Sequence, residues 1–496
     1  MNQLKDPLVR RMSAARNRFC AWPRLPSACR GHLRIGRWMP VVVVLVVCLC
    51  AGTEPRRLAA QDPSADGAGD TADTKDEKKK PEPPVYSPPK DAPAIMTIVD
   101  EKITAEEVTK FFKSKDYRRY RSALRSGDLN PTTRKLIQQG IRVRVLRMSL
   151  KSEKLNPYKR RRDLMREIRD AARQQSDKAV ARQFREFVLG EVTRNCKLLL
   201  DNALPVRLNA VIILAHLNVI PPNPSKHILP VAYAPVADVL VGIISDRKQH
   251  VAVKIWAARG LWRVARFGDP RFKTRLSMAS ALIATLNDHN AHPWYQARLV
   301  EALGAVDQPL DRDGKPFIVR TLLQILLDAR RPWIVRSAAA KALGRASLDR
   351  QTNVSVLATE VVNLGRKMAD AYNSDLKAHR RKQDRQHNWK QCYLDLYLAF
   401  HYYNDLEKKH HDGLLEKVQQ APLAARHKNF VTGAYRQLLP MVNHVLNRDG
   451  IPIPPAILTP VSGWLKTNSK GTLQVHPGLP PITNTQQAFP VASPAG

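Results

Sequence analysis

A nine-residue pattern recurs four times in the middle of this chain and constrains its fold more than any other feature. The copies occupy residues 206–214, 253–261, 295–303 and 335–343. Their shared form is V-[RK]-x-x-A-x-x-x-L, and the third copy is the loosest. The closing leucines are 47, 42 and 40 residues apart. A period of this size is typical of arrays in which each unit is a pair of helices.

The pattern describes one face of a helix, because its Val, Ala and Leu positions are four residues apart. The small alanine lets neighbouring helices approach closely. The Arg or Lys lies off this apolar stripe, where it can cap a helix or pair with the adjacent repeat. Prolines near the start of three copies are typical of first turns. An apolar helix is predicted before each copy, at 191–200, 236–245, 278–287 and 317–328. One helix pair cannot bury both apolar faces alone, so the pairs must stack.

These helix beginnings and endings resemble HEAT repeats of the bacterial kind, whose second helix often has the form D-P-x-V-R-x-x-A-A-x-A-L-G. Residues 332–344, PWIVRSAAAKALG, match this form closely, and residues 293–304 match it with one residue fewer. The resemblance covers residues 191–347. It implies an all-α fold, a right-handed α–α superhelix in which these residues form four HEAT-like repeats. It says little about function, since members of this family mostly bind other macromolecules.

The regions on either side of the array are also predicted to be helical. Residues 98–190 form an N-terminal helical region, with helices expected at 105–113, 132–152, 162–174 and 180–191. Residues 348–448 form a C-terminal helical region of degenerate repeats or a cap, with helices expected at 355–372, 392–403 and 431–446. Residues 449–496 are rich in proline, so we expect a weakly structured tail there.

The first 97 residues are predicted to lie outside the folded body. An apolar run at 40–52 is too short to cross the roughly 30 Å hydrocarbon core as a helix, and arginines precede it as in a signal peptide. We therefore interpret residues 1–52 as a basic leader with a signal peptide. The alternatives are an uncleaved anchor, with membrane contact through 40–52 only, or a translation start further downstream. Residues 53–97 are predicted to be a disordered, acidic and Pro-rich linker. The expected location is the bacterial periplasm or cell envelope.

Positive charge is the main indication of a partner. The chain carries a net charge of +37, and residues 101–200 contain 27 basic and 12 acidic side chains. Such a surface attracts polyanions, although a charged run is more often a solvated helix face. Three tyrosines, Tyr117, Tyr120 and Tyr158, interleave with the first basic run as stacking residues would. Trp294 and Trp333 are predicted at helix starts, which line a rim in a solenoid. The candidate binding residues are Lys159, Arg160, Arg161, Arg162, Arg166, Arg169, Arg380, Arg381, Lys382, Arg385, Trp294 and Trp333.

Motifs of catalysis and metal binding are missing from the sequence. It contains no P-loop, no G-x-S-x-G and no H-E-x-x-H. His401 and Asp405 are one helical turn apart but lack further ligands, so we interpret them as part of a solvated helix face. Cys196 and Cys392 are distant in sequence, and we expect two buried free thiols.

The sequence therefore predicts a scaffold that is not an enzyme and uses no cofactor, metal or small-molecule substrate. Its expected partner is a protein or an anionic polymer, with polysaccharide favoured over nucleic acid. Two alternatives remain: a HEAT-like protein that binds nucleic acid, and a non-catalytic subunit of an enzyme complex.

Overall fold

Helices dominate the part of the chain that the structure describes, and the predicted all-α class is confirmed. The computed structural model describes residues 100–153, 157–378, 387–401, 412–420, 423–469 and 473–482. All of these belong to one compact unit formed by residues 88–496. Seventeen α-helices lie in this described part, of which 71% is helical. The expected leader, residues 1–52, and linker, residues 53–97, lie outside the described residues.

The helices follow one another along the chain with short connections. In order they are α1 (Ala105–Lys113), α2 (Lys115–Ser126), α3 (Pro131–Leu146), α4 (Pro157–Asp170), α5 (Lys178–Lys197), α6 (Leu204–Ala215), α7 (Ala237–Ser245), α8 (Val251–Phe267), α9 (Phe272–Leu286), α10 (Pro293–Ala305), α11 (Phe317–Leu327), α12 (Trp333–Arg345), α13 (Val354–Ala378), α14 (Trp389–Phe400), α15 (Leu414–Lys417), α16 (Leu423–Asn447) and α17 (Pro455–Asn468).

The four copies of the nine-residue pattern occupy equivalent places in four helices. Their first residues, Val206, Val253, Tyr295 and Val335, are each the third residue of α6, α8, α10 and α12. All four side chains are buried, and so are the residues at the central and closing positions of each copy. The predicted stripe is therefore the buried face of each helix.

The second helices of successive pairs pack side by side. In chain order α6, α8, α10, α12, α14 and α16 each contact the next, and we call them the second-helix row. Glycines make the close approach possible. A Cβ atom on Gly304 would lie 2.8 Å from the Ala342 Cα, and one on Gly344 would lie 2.2 Å from the Ala399 carbonyl oxygen. The Leu-Gly ending of the pattern thus marks the point where neighbouring helices touch.

Buried polar side chains in the turns also link successive pairs. Arg207, the basic residue of the first copy, donates a hydrogen bond from Nη1 to Gln249 Oε1 at 2.9 Å. Gln249 lies in the turn before α8 and donates from Nε2 to the Leu200 carbonyl at 3.1 Å. The basic position of this copy therefore pairs with the adjacent pair of helices, as the pattern predicts.

The same link recurs two pairs further along. Gln296 has the corresponding position in the third copy and accepts a hydrogen bond from Arg331 Nη1 at 2.5 Å. Arg331 Nη2 donates to the Leu286 carbonyl at 2.6 Å. Gln249 and Arg331 both stand four residues before the first residue of a copy, so the position, rather than the residue type, is what repeats.

Two segments differ from the sequence expectation. A short β1 (Asn218–Ile220) pairs antiparallel with β2 (Val231–Ala232) inside the predicted array, and this insertion makes the first interval the longest. The tail was expected to be weakly structured, and this is wrong for α17. Pro455 is the first residue of that helix, where a missing N–H costs nothing. Pro460 has no N–H to donate to the Ala456 carbonyl, but Ala456 is exposed, so water can donate to that carbonyl instead.

Candidate functional site

The first predicted basic run lies on α4, which begins five residues earlier than expected. Pro157 opens the helix, and Leu164 and Ile168 are its buried residues. Since these two apolar residues anchor one face, the basic side chains lie on the remaining surface. Lys159, Arg162, Arg166 and Arg169 are exposed, and Arg160 and Arg161 are half-buried. The second run, Arg380, Arg381, Lys382 and Arg385, lies outside the described residues.

Tyr158 is the most exposed of the three tyrosines that interleave with this run. Tyr158 is 56% exposed, and the Arg161 Cζ lies 4.9 Å from its ring centroid. Tyr120 is buried, and its hydroxyl donates to Glu167. Tyr117 packs edge-on against Phe112 with ring centroids 4.8 Å apart. The expectation that Tyr120 contributes a stacking surface is therefore wrong, because its ring belongs to the core between α2, α3 and α4.

Helix α4 packs on α6, and the positive charge of Arg161 acts on His216, the residue that follows α6. The His216 and Trp256 rings have centroids 5.7 Å apart, and the Arg259 Cζ lies 5.0 Å from the Trp256 centroid. Arg263 donates from Nη1 to the Ala215 carbonyl at 2.7 Å and from Nη2 to Asn218 Oδ1 at 2.8 Å. We call the following six residues the arginine–aromatic cluster: Tyr158, Arg161, His216, Trp256, Arg259 and Arg263.

Burial, aided by the arginines of the cluster, keeps its histidine neutral. Burial, together with the positive charges of Arg263, Arg259 and Arg161, lowers the pKa of His216 to about 4. The Nδ1 of His216 lies 2.8 Å from the Ile212 carbonyl oxygen, so the neutral ring donates there and its Nε2 is an acceptor. The ring thus adds no positive charge at neutral pH.

Burial lowers the pKa of two arginines of the cluster. Burial and the neighbouring Arg259 lower the pKa of Arg263 to about 10. Burial also lowers the pKa of Arg161, while Tyr158 opposes this shift. Neither Arg161 nor Arg263 forms an ion pair with a carboxylate in the described part of the chain. Guanidinium groups beside partly open aromatic rings can hold an anionic group by paired hydrogen bonds while the rings stack on its flat neighbour.

Comparison with known proteins does not identify a family for this chain. No protein-family model, curated protein or solved structure matches the chain. The interpretation of the cluster therefore depends on its own residues.

The two predicted tryptophans lie elsewhere. Trp294 is 58% exposed in the first turn of α10, with the Arg298 Cζ 5.7 Å from its ring centroid. Trp333 is half-buried at the start of α12, and its ring centroid lies 6.1 Å from that of Trp389. No contact joins either tryptophan to the arginine–aromatic cluster within the described ranges. Trp294 is thus exposed at the start of its helix, whereas Trp333 is partly covered.

Sequence reasoning missed four members of the cluster, His216, Trp256, Arg259 and Arg263. Trp256, Arg259 and Arg263 are three and then four residues apart, which places them on one face of α8. That spacing was a usable signal for a basic and aromatic stripe. His216 follows the last residue of α6, and nothing in its neighbourhood in sequence connects it with Arg161.

Other site types find no support among the residues that the structure describes. No group of three or more His, Cys, Asp or Glu side chains there is arranged to hold a metal ion. Within the same ranges, no helix is both long enough and apolar enough to cross a bilayer. Cys196 and Cys392 are free and buried, as predicted, and burial raises the pKa of both thiols, that of Cys392 to about 12.

Proposed function

We propose that this protein is a binding scaffold without catalytic activity, which holds an anionic polymer against the arginine–aromatic cluster. The observation that carries this proposal is that the positive charges of Arg161, Arg259 and Arg263 all act on His216, beside the Trp256 ring that Arg259 contacts. Guanidinium groups form strong charge-assisted hydrogen bonds with anionic groups. A polymer with one negative group per unit would bind at these arginines and would extend onto the exposed basic residues of α4.

The scaffold itself is proposed to be a right-handed α–α superhelix of HEAT-like repeats. Support comes from the equivalent placement of the four pattern copies and from the contacts along the second-helix row. In such an array each pair contacts mainly its neighbours, so the exposed face grows with the number of pairs. The contacts of α14 and α16 continue the row past residue 347, which favours degenerate repeats over a cap in 348–448.

The preferred polymer is an acidic polysaccharide. Tyr158 and Trp256 offer ring faces that suit either a sugar or a nucleobase. The predicted signal peptide in residues 1–52 favours the cell envelope, where polysaccharide is the available polyanion. A protein partner is a weaker candidate for this cluster, because the cores of protein–protein interfaces are depleted in charged residues.

A direct test measures binding of a heparin oligosaccharide by isothermal titration calorimetry. The variants Arg161→Gln and Arg259→Gln should each weaken binding about tenfold, since each removes charge-assisted hydrogen bonds. The matched control is Arg312→Gln, which removes an exposed arginine in the loop before α11. The salt dependence of binding should also become less steep in the two cluster variants and stay unchanged in the control.

Equal weakening in the control variant would show that net charge alone attracts the polymer, and the proposed site would be wrong. Tighter binding of single-stranded DNA than of heparin at the same salt concentration would favour the nucleic-acid alternative. Cell fractionation and sequencing of the mature N-terminus test the proposed location independently.

A further inference from the structure

A second cationic site lies where three helices of the second-helix row end. A cavity of about 530 Å³ is bordered there by the ends of α8, α10 and α12, by the start of α9, and by the segment 412–420 that covers them. Pockets for small molecules commonly have volumes of about 300–1,000 Å³. The cavity is therefore large enough for a small organic molecule as well as for a simple ion.

Specific contacts hold the covering segment in place. Arg266 on α8 donates from Nη1 to Asp412 Oδ1 at 3.2 Å, and both residues are largely buried. The Gly413 N–H donates to the Gly344 carbonyl at 2.7 Å. Gly413 has a φ of 106°, a backbone conformation that favours glycine. These contacts fix the position of Lys417, which follows four residues later in the segment.

Two cations that line the cavity have no carboxylate partner within the described residues. The Arg275 Nε, on the first turns of α9, is buried and has no hydrogen-bond acceptor there. The Lys417 Nζ makes one long hydrogen bond, 3.4 Å to the Arg345 carbonyl. Burial lowers the pKa of the Lys417 ammonium, and the negative charges of Asp412 and Asp307 reduce the size of this shift. A buried donor without an acceptor is costly, so the Arg275 Nε needs a group to accept its hydrogen bond, and the Lys417 ammonium, which has three donors, can supply two more hydrogen bonds to the same group.

The acidic residues that the described part of the chain contributes to the cavity are already engaged or face solvent. Asp412 pairs with Arg266, and Asp307 accepts a hydrogen bond from the Ser347 hydroxyl. Asp269 is exposed. Arg275 and Lys417 are thus left as the cations best placed to meet a ligand, in a cavity that the covering segment keeps partly closed.

We propose that this cavity binds a small molecule or ion with phosphate- or sulfate-type oxygens, held by Arg275 and Lys417. This site is separate from the arginine–aromatic cluster and does not depend on the polymer proposal. The anionic group has two possible sources, a free inorganic ion or the charged end of a phosphorylated sugar. The cavity volume favours the second, because a tetrahedral oxyanion alone would leave most of it empty.

The test is calorimetric titration of the full chain with inorganic phosphate and, separately, with glucose 6-phosphate. We expect saturable binding with one site per chain, and an affinity at least tenfold lower in Arg275→Met and Lys417→Met. The matched control is Lys273→Met, which removes an exposed cation from the same helix as Arg275 and should leave affinity unchanged. Tighter binding of the sugar phosphate would identify a small molecule as the ligand, whereas equal affinities would identify the free ion.

Each remaining outcome is decisive against the proposal. Titration without saturation in the unaltered chain would mean that the cavity holds only water, and this result needs no variant to fold. Equal affinity in Arg275→Met, Lys417→Met and Lys273→Met would place the anion elsewhere. The cluster variants Arg161→Gln and Arg259→Gln should retain phosphate binding. Its loss in those variants would show that both anions share one surface.

Discussion

Two adjacent arginines interact with the same carboxylate in different surroundings. Arg330 Nε donates to Asp328 Oδ1 at 2.9 Å, and its side chain is 49% exposed. The Arg331 side chain is 1% exposed, and its Nε lies 3.6 Å from Asp328 Oδ2. Arg331 also carries the hydrogen bonds that link two helix pairs, to Gln296 and to the Leu286 carbonyl. The shorter ion pair is therefore the less important one for stability.

We expect Arg331→Met to lower the free energy of unfolding by about 2–4 kcal/mol, because it leaves buried acceptors and part of a buried ion pair without donors. Arg330→Met should change stability little, since water screens an exposed pair. Urea denaturation followed by circular dichroism measures both. If the two variants lose similar stability, the linking role assigned to Arg331 is wrong.

At the scale of helices, local sequence predicts most of the fold. The helices predicted at 105–113 and 317–328 match α1 (Ala105–Lys113) and α11 (Phe317–Leu327) almost residue for residue. Their apolar spacing and their breakers lie within the segment itself, so no distant contact is needed to define them. The β1–β2 pair was missed because each strand is only two or three residues long and depends on its partner.

The candidate site could be predicted only in part, for a similar reason. The basic run on α4 is visible in the sequence, but Arg259 and Arg263, whose charges also act on His216, are about 100 residues away. Their common effect on His216 depends on α4 packing against α6 and on α6 packing against α8. The spacing of apolar residues predicts which face of each helix is buried, but it does not predict the angle at which two helices cross. Residues that come together across three helices therefore cannot be predicted from this spacing.

Helix α17 gives a test of packing at the end of the chain. Val461 is buried, Arg366 Nε donates to Ser462 Oγ at 2.9 Å, and the Phe430 and Trp464 ring centroids are 5.5 Å apart. Val461→Asp should therefore lower the free energy of unfolding by about 2–4 kcal/mol, because it buries an unpaired charge or undocks the helix.

Thr459→Asp is the matched control, since Thr459 is exposed on the same helix and should change stability by less than about 0.5 kcal/mol. Limited proteolysis should cleave the Val461→Asp variant within 449–468 well before the control. Equal resistance of both variants would mean that α17 does not depend on the burial of Val461. The expectation of a weakly structured tail would then be supported.

For the molecule as a whole, four histidines whose pKa is lowered in the folded chain contribute to the response to acid. Burial lowers the pKa of His216, His250, His289 and His427, and that of His216 falls to about 4. In the unfolded chain a histidine has a pKa of about 6.5. Below that pH the unfolded chain binds protons that the folded chain does not accept. Stability that is present at pH 7 is therefore lost as the pH falls.

We expect the free energy of unfolding to decrease from pH 7 to pH 5, and His216 alone to account for about 1–2 kcal/mol of that decrease. His216→Gln removes the titrating group and can still donate to the Ile212 carbonyl, so the decrease should be smaller by that amount. Urea denaturation at several pH values measures both chains. A decrease of the same size in the two chains would mean that His216 is not held neutral. The charges of the three arginines would then not act on His216, and the proposed anion-binding cluster would be wrong.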